Sequence, residues 1–185
     1  MTTVTDMNAT RTAVALRNLY VVRFGFALVW AVLLLLTGPA SGPLGTALLV
    51  IYPLFDVAAA IVDLRSSKTA RPAAALYVNT ALSLLTAIGL AVTATSGVPA
   101  VLRVWGAWAI TAGIVQLIVA ISRRGLGGQW AMILSGGLST IAGTAFILQA
   151  GTPAASLTSL AGYAIVGGVF FLISALRLHR TTKSA

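Results

Sequence analysis

The sequence has very little of what most enzymes and metal proteins use. It contains no cysteine, one histidine (His179) and three acidic residues (Asp6, Asp56 and Asp63). The absence of cysteine excludes a disulfide framework and a thiolate metal site. No Ser/His/Asp, Cys/His, metal-ligand or phosphate-loop pattern can be assembled from what is left. We therefore expect a protein that is not an enzyme and that needs no metal or cofactor.

Charge of either sign is also scarce. Only 8% of the 185 residues are charged, whereas a typical soluble domain has about 25%. Hydrophobic residues make up 58% of the chain, and its mean hydropathy is +0.98. This composition is that of a membrane protein.

What the chain does contain is six long apolar runs. They cover residues 19–37, 44–64, 73–95, 99–121, 129–150 and 154–176. Each is close to the ~20 residues that carry a helix across a hydrocarbon core of ~30 Å. Lipid offers no hydrogen-bond partners, so each run must satisfy its own backbone as an α-helix. Glycine and proline between the runs, as in 38–43 and 125–128, are typical of short turns.

The predicted fold is an all-α membrane protein with six transmembrane helices, arranged as three tandem antiparallel hairpins. The transmembrane domain spans 19–178, with the hairpins at 19–64, 73–121 and 129–176. The first run, behind a basic segment, also resembles a signal peptide. We expect it to remain as a helix, because it is long and the repeat described below requires it.

The basic residues predict the orientation. Eleven of the twelve Lys and Arg residues fall at one side of the predicted bundle, and Arg103 alone falls at the other. By the positive-inside rule, the tails 1–18 and 179–185 are both cytoplasmic, in the cytoplasmic (inner) membrane of a bacterium. The positive charge is spread over four segments rather than gathered into a patch, so the expected partner is the lipid bilayer and not nucleic acid.

An internal repeat of about 56 residues underlies the three hairpins. Shifting the chain by 56 residues places Tyr52 on Trp108, and a shift of 55 places Trp108 on Tyr163. We expect these three aromatic side chains to fill the core near mid-membrane, an aromatic gate being the alternative. The segments that begin at Trp108 and Tyr163 are clear copies of each other, and the first hairpin is more diverged.

Small residues recur at intervals of four along the later helices, where helices can approach closely. They are Ala109 and Gly113, their repeat mates Ala164 and Gly168, and the series Ser135, Ser139 and Gly143. We expect them to serve packing within the chain, the alternative being the face of a homo-oligomer.

These features together resemble the HdeD-like family, a group of bacterial inner-membrane proteins built from a short repeat. The resemblance rests on the three hairpins, the glycine-rich last three helices, the aromatic-then-glycine segments Trp108…Gly113 and Tyr163…Gly168, and Arg177 at the end of the last helix. It covers about residues 20–180. It implies a role in acid or stress resistance, and it implies no catalytic residues.

Two hairpins carry polar residues within their apolar runs. Arg23 and Asp56 lie sixteen to seventeen residues either side of the first turn, so an antiparallel hairpin brings them to the same depth. A lone charge costs about 2.5–3.5 kcal/mol at a helix centre, and an ion pair offsets part of that. In the second hairpin, Asn79 and Gln116 are likewise equidistant from the turn, and we expect them to hydrogen-bond.

Neighbouring polar residues have simpler expected places. Asn79, Ser83 and Thr86 form a stripe on one face of the third helix. Asp63 is expected to be a solvated charge at headgroup level. Arg103 is expected to reach the outer surface, with Trp105 as an interfacial anchor.

Three functions are compatible with this pattern. The first is a non-enzymatic inner-membrane protein in acid or stress resistance or envelope integrity, with the polar layer as structural glue. The second is a small transporter or proton-conducting channel that uses Arg23 and Asp56. The third is a scaffold subunit that buries its helix faces against another membrane protein.

Overall fold

The computed structural model describes residues 4–37, 42–66, 73–122 and 130–183. These residues form helices and short turns and contain no β-strand. The helices are α1 (Val4–Thr37), α2 (Pro43–Ser66), α3 (Ala73–Thr93), α4 (Val98–Ser122), α5 (Trp130–Gln149) and α6 (Thr158–Lys183), and a 3-10 turn (Ala94–Ser96) follows α3.

All six helices are long and apolar enough to cross a membrane. Their spanning segments run from 20 to 25 residues, which suits a hydrocarbon core of ~30 Å. The predicted fold class is therefore confirmed, and the chain fits a multi-pass integral membrane protein.

The first and last helices are longer than the apolar runs predict. α1 begins at Val4, so the region assigned to the tail 1–18 is largely helical, while its spanning part begins at Val14. α6 begins at Thr158 rather than at 154, because residues 150–157 form turns in which the Gly151 amide donates to the Leu148 carbonyl at 3.1 Å. α6 continues to Lys183, within the predicted tail 179–185.

The turn between α3 and α4 depends on Gly97. This residue has a φ of +92°, a conformation that residues with a Cβ atom rarely adopt. Its carbonyl accepts from the amides of Ala100 and Val101 at 3.1 and 3.3 Å, which starts α4. Pro99 stands in the first turn of the helix, where its missing N–H costs nothing. Residues 38–41 of the predicted turn 38–43, and the whole predicted turn 125–128, lie outside the described residues.

The helices form a closed ring in which α1 packs antiparallel to α6. The most extensive interfaces are α4 with α5, α1 with α6 and α2 with α3. The helices of each predicted hairpin pack less extensively, and α5 and α6 touch least. Antiparallel hairpin order is kept, but the main packing is between neighbouring hairpins rather than within them.

The α4–α5 interface is built on glycine. Gly106 faces Gly143, and Gly113 faces Gly136, so closely that a Cβ on any of the four would lie 2.6–2.9 Å from the glycine carbonyl oxygen opposite. Such spacing lets two backbones touch, which is how helices associate where lipid removes the hydrophobic drive. Gly113 and Gly143 were predicted packing residues; Gly106 and Gly136, seven residues away from them in each helix, were not.

Three of the remaining predicted packing residues, Gly168, Ala109 and Ala164, are buried in the bundle. A Cβ on Gly168 would lie 3.3 Å from the Cβ of Ala27, which places this glycine in the α1–α6 interface. Ala109 and Ala164 are buried, and Ser135 is half-buried. Gly168 and the two alanines therefore lie where packing within the chain is expected.

Candidate functional site

An ion pair joins α1 to α2 in the half of the bundle nearer the chain termini. Nη2 of Arg23 donates to Oδ1 of Asp56. The two side chains are only 11% and 16% exposed. The structure thus brings together the two residues that the hairpin register predicts.

The second oxygen of Asp56 is held by α3. Oδ2 accepts from Nδ2 of Asn79 at 2.7 Å and from Oγ of Ser83 at 2.8 Å. Trp108 on α4 then donates from Nε1 to Ser83 Oγ at 3.2 Å. One carboxylate therefore lies at the centre of a network that links α1, α2, α3 and α4. Hydrogen bonds to a charged acceptor are stronger than those between neutral groups, so the bonds to Asp56 are the strongest of this network.

A fifth helix reaches the same network through Arg23. The guanidinium carbon of Arg23 lies 4.5 Å from the ring centroid of Phe171 on α6. A cation over an aromatic face is stabilised by about 0.5–2 kcal/mol, more when water is excluded. Arg23 is thus held from one side by Asp56 and from another by Phe171.

The prediction that Asn79 and Gln116 hydrogen-bond to each other is wrong. Asn79 turns to the carboxylate of Asp56, and Gln116 donates from Nε2 to the Met132 carbonyl of α5 at 3.2 Å. The physical reason is the pairing of the helices: α3 packs more extensively on α2 than on α4, and α4 packs mainly on α5. Each amide therefore binds across its helix's larger interface.

Asp63 is also placed differently from the expectation. It is fully buried, at 0% exposure, rather than solvated at headgroup level. Asp63 follows Asp56 by seven residues, which puts both carboxylates on one face of α2 about 10 Å apart along the helix. Because the Asp56 face of α2 is turned inward, Asp63 is carried inward with it.

The three aromatic repeat residues line the middle of the bundle. Tyr52 packs against Trp30 and Trp105, with ring centroids 4.6 and 5.5 Å apart, and Trp108 lies 6.2 Å away. Tyr163 packs against Phe146 on α5, with ring centroids 5.7 Å apart. Their close packing fits core filling.

Two hydrogen bonds occupy corresponding places in the second and third hairpins. Trp108 donates to Ser83, and the Tyr163 hydroxyl lies 3.1 Å from the Ser139 hydroxyl. Ser83 and Ser139 are 56 residues apart, as the predicted repeat requires. In the first hairpin the equivalent of these serines is Ala27, which has no hydroxyl, so the threefold repeat stays a prediction.

Trp105 is not an interfacial anchor. It is fully buried and stacks on Trp30 with ring centroids 5.3 Å apart, while Arg103 beside it is exposed. The Trp105 indole N–H has no hydrogen-bond partner among the described residues. Trp30, in contrast, donates to the Leu48 carbonyl at 2.6 Å. The half of the bundle away from the termini is therefore closed by packed aromatic rings.

The described residues offer no metal centre. They contain no group of three or more His, Cys, Asp or Glu side chains placed to share an ion. The Arg123–Arg124 pair and the glycines at 125–128 lie outside the described residues. What the described site contains is a set of hydrogen-bonded charges, not an open coordination sphere.

Comparisons with protein-family models, with curated proteins and with solved structures find no match to this chain. The resemblance to HdeD-like proteins therefore rests on the residues given above and stays a proposal.

Proposed function

We propose that the chain is a non-catalytic integral protein of the bacterial cytoplasmic membrane that supports resistance to acid or envelope stress. The observation that carries the non-catalytic part is the network around Asp56. The physiological part comes from the resemblance to the HdeD-like family, whose name-giving member is associated with acid resistance.

The Asp56 network favours a structural role for the ion pair of Arg23 and Asp56. Both carboxylate oxygens are engaged, by Arg23 on α1 and by Asn79 and Ser83 on α3. A carboxylate that handles substrate or protons needs a free face, whereas one that fixes helix pairing needs donors from several helices. Asp56 has the donors, so its task in this proposal is to hold α1, α2 and α3 in register.

A second candidate, a proton-conducting or small transport protein, is favoured by Asp63. This carboxylate is buried about 10 Å below Asp56 on the same face of α2, on the side of the termini. Buried ionisable groups inside membranes are functional candidates by default. Thr86 and Ser83 continue the buried polar line on α3. Beyond them, the aromatic rings around Trp105 would have to move for any pathway to be complete.

The test is the cytoplasmic pH after an acid shift. A strain lacking the gene is compared with the same strain carrying wild type, Asp56→Asn, or the double variant Arg23→Gln with Asp56→Asn. The structural proposal predicts that the gene-less strain acidifies faster and that Asp56→Asn restores little, because it leaves Arg23 without its anion. The double variant, which strands no charge, should recover both abundance and protection.

Other outcomes separate the alternatives. Loss of protection in both variants at wild-type abundance would favour a proton or ion pathway through Asp56. An unchanged pH course in the gene-less strain would remove the acid-resistance role. In that case the scaffold hypothesis is tested by purification in mild detergent, with a retained second membrane protein or second copy as the supporting result.

A further inference from the structure

The indole of Trp105 carries a buried polar atom that the described part of the chain does not satisfy. The residue is 0% exposed, and its Nε1 has no hydrogen-bond partner. An indole N–H can only donate, so what Trp105 lacks is an acceptor. Buried polar groups almost always have a partner, which is either protein or ordered water.

A second polar group without its usual partner lies in α2, where Pro53 stands inside the helix. The Pro53 side chain is fully buried. Proline has no N–H, so the carbonyl of Leu49, four residues earlier, loses the hydrogen bond that a regular helix would give it. Leu49 is itself buried, at 1% exposure. What this carbonyl lacks is a donor.

The donor and the acceptor lie at the same depth in the bundle. Both α2 and α4 begin at the end away from the chain termini, at Pro43 and Val98. Leu49 comes six residues after the first of these starts, and Trp105 comes seven residues after the second. A rise of 1.5 Å per residue places both about 9–11 Å from that end. Tyr52, one turn after Leu49, has its ring centroid 5.5 Å from that of Trp105.

The neighbouring indoles show how such a donor is satisfied directly. Trp30 stacks on Trp105 with ring centroids 5.3 Å apart, and its Nε1 donates to the Leu48 carbonyl at 2.6 Å. Trp108 donates to Oγ of Ser83 at 3.2 Å. Of these three indoles, only that of Trp105 reaches no acceptor among the described residues.

The missing partner has to accept from Trp105 and donate to the Leu49 carbonyl. Water does both, and ordered water is one of the means by which membrane helices satisfy a carbonyl freed by proline. Each hydrogen bond spans about 2.7–3.2 Å, so one water joins two atoms that are about 4–6 Å apart. The rings of Trp30, Tyr52 and Trp108 have centroids 5.3–5.6 Å from that of Trp105, which leaves no room between them for a larger molecule.

We propose that α2 holds one structural water molecule at its proline notch, the break in its hydrogen bonds between Leu49 and Pro53. This water accepts from the Trp105 indole N–H and donates to the Leu49 carbonyl, and the Tyr52 hydroxyl in the same ring cluster is available as a further partner. The water places a hydrogen-bonding group within the half of the bundle that the aromatic rings close. The proposal does not depend on the function proposed above.

The experiment observes the four tryptophans of the full chain, labelled with ¹⁵N at the indole nitrogen in a deuterated protein and reconstituted in lipid bilayers. Proton-detected solid-state NMR measures the transfer of magnetisation from water to each indole N–H. Trp130 is 56% exposed and is the positive control, and Trp30, bonded to a backbone carbonyl, is the dry control. The signals are assigned with Trp30→Phe, Trp108→Phe and Trp130→Phe.

The proposal predicts that the Trp105 N–H receives magnetisation from water as Trp130 does, while Trp30 receives little. Pro53→Ala supplies the missing N–H to the Leu49 carbonyl, so the transfer to Trp105 should be lost while the Trp30 signal keeps its position.

Two further variants control for the proline and for the tyrosine. Pro99→Ala should leave the transfer to Trp105 unchanged, because Pro99 lies in the first turn of α4 and withholds no helix hydrogen bond. Tyr52→Phe should also keep the transfer, which shows that its source is bound water and not an exchanging hydroxyl.

Three results would overturn the proposal. A Trp105 N–H that receives as little magnetisation as Trp30 would mean that no water is bound there. Equal transfer in Pro53→Ala and in the wild type would mean that the proline notch has no part in binding it. Loss of the transfer in Tyr52→Phe would assign the signal to the tyrosine hydroxyl.

Discussion

At the residue scale, the central feature is a charge kept in the membrane by its partners. Asp56 has donors from Arg23, Asn79 and Ser83, and Ser83 in turn has Trp108. Hydrogen bonds between membrane helices contribute only about 0.6 kcal/mol on average. An unpaired charge costs several times more. The hydrogen bonds of the network therefore add little free energy themselves. Their main effect is that losing one of them would leave a charge unpaired in the membrane, which costs more.

This asymmetry gives a prediction for Arg23 and Asp56. Arg23→Gln and Asp56→Asn should each lower the free energy of unfolding by about 2–3 kcal/mol, because each strands the opposite charge. The double variant should lose less than the sum, with a coupling of about 1–2 kcal/mol. Unfolding from mild detergent into denaturing detergent measures all four proteins.

A control variant makes the coupling specific. Arg103 is exposed on the far side of the bundle, so Arg103→Gln combined with Asp56→Asn should be additive. Additivity within about 0.3 kcal/mol for the Arg23 and Asp56 pair as well would show that the two charges do not stabilise each other.

At the element scale, glycine decides which helices pack most tightly. The α4–α5 interface brings backbone against backbone at Gly113 and Gly136, and a second time at Gly106 and Gly143. Where helices associate without a hydrophobic drive, loss of this approach removes most of their van der Waals contact.

Two adjacent glycines of α5 provide a matched test. A Cβ on Gly136 would lie 2.9 Å from the Gly113 carbonyl oxygen, whereas a Cβ on Gly137 would meet nothing within 4 Å. Gly136→Ala should therefore lower the free energy of unfolding by about 1–3 kcal/mol. Gly137→Ala should leave it unchanged or raise it by up to about 1 kcal/mol through helix propensity. Equal effects of the two changes would contradict the close α4–α5 packing.

The sequence predicts the helices better than it predicts which helices pack against each other. Six apolar runs are enough to find six helices, because lipid allows few other structures. Equal distance from a turn is enough to bring Arg23 to Asp56. It is not enough to find the partner of Asn79, because a helix in a ring has two neighbours and the hairpin register describes only one of them.

Burial near the helix ends is the other property that the sequence leaves open. An aspartate such as Asp63 and a tryptophan such as Trp105 are common both at the membrane surface and inside a bundle. Which of the two applies depends on the direction in which each helix face is turned. That direction is set by packing with other helices, as for the Asp56 face of α2, and not by local composition.

At the scale of the whole molecule, the bundle is divided into two halves. The half near the termini contains the partly buried pair Arg23 and Asp56 and the fully buried Asp63, and the other half is closed by aromatic rings including Trp30 and Trp105. With eleven of the twelve basic residues at the terminal side, the polar half faces the cytoplasm in the predicted orientation. The proposed function depends on that orientation.

The measurement that tests this account most directly is the accessibility of single introduced cysteines in intact cells. Thr152→Cys lies in the exposed turn before α6, and Ser122→Cys lies at the exposed end of α4 on the side of the termini. One membrane-spanning helix, α5, separates the two positions, so they should lie on opposite sides of the membrane. A membrane-impermeant maleimide should label Thr152→Cys in intact cells and Ser122→Cys only after permeabilisation. The reverse pattern, or labelling of both positions in intact cells, would contradict the six-span topology with cytoplasmic termini.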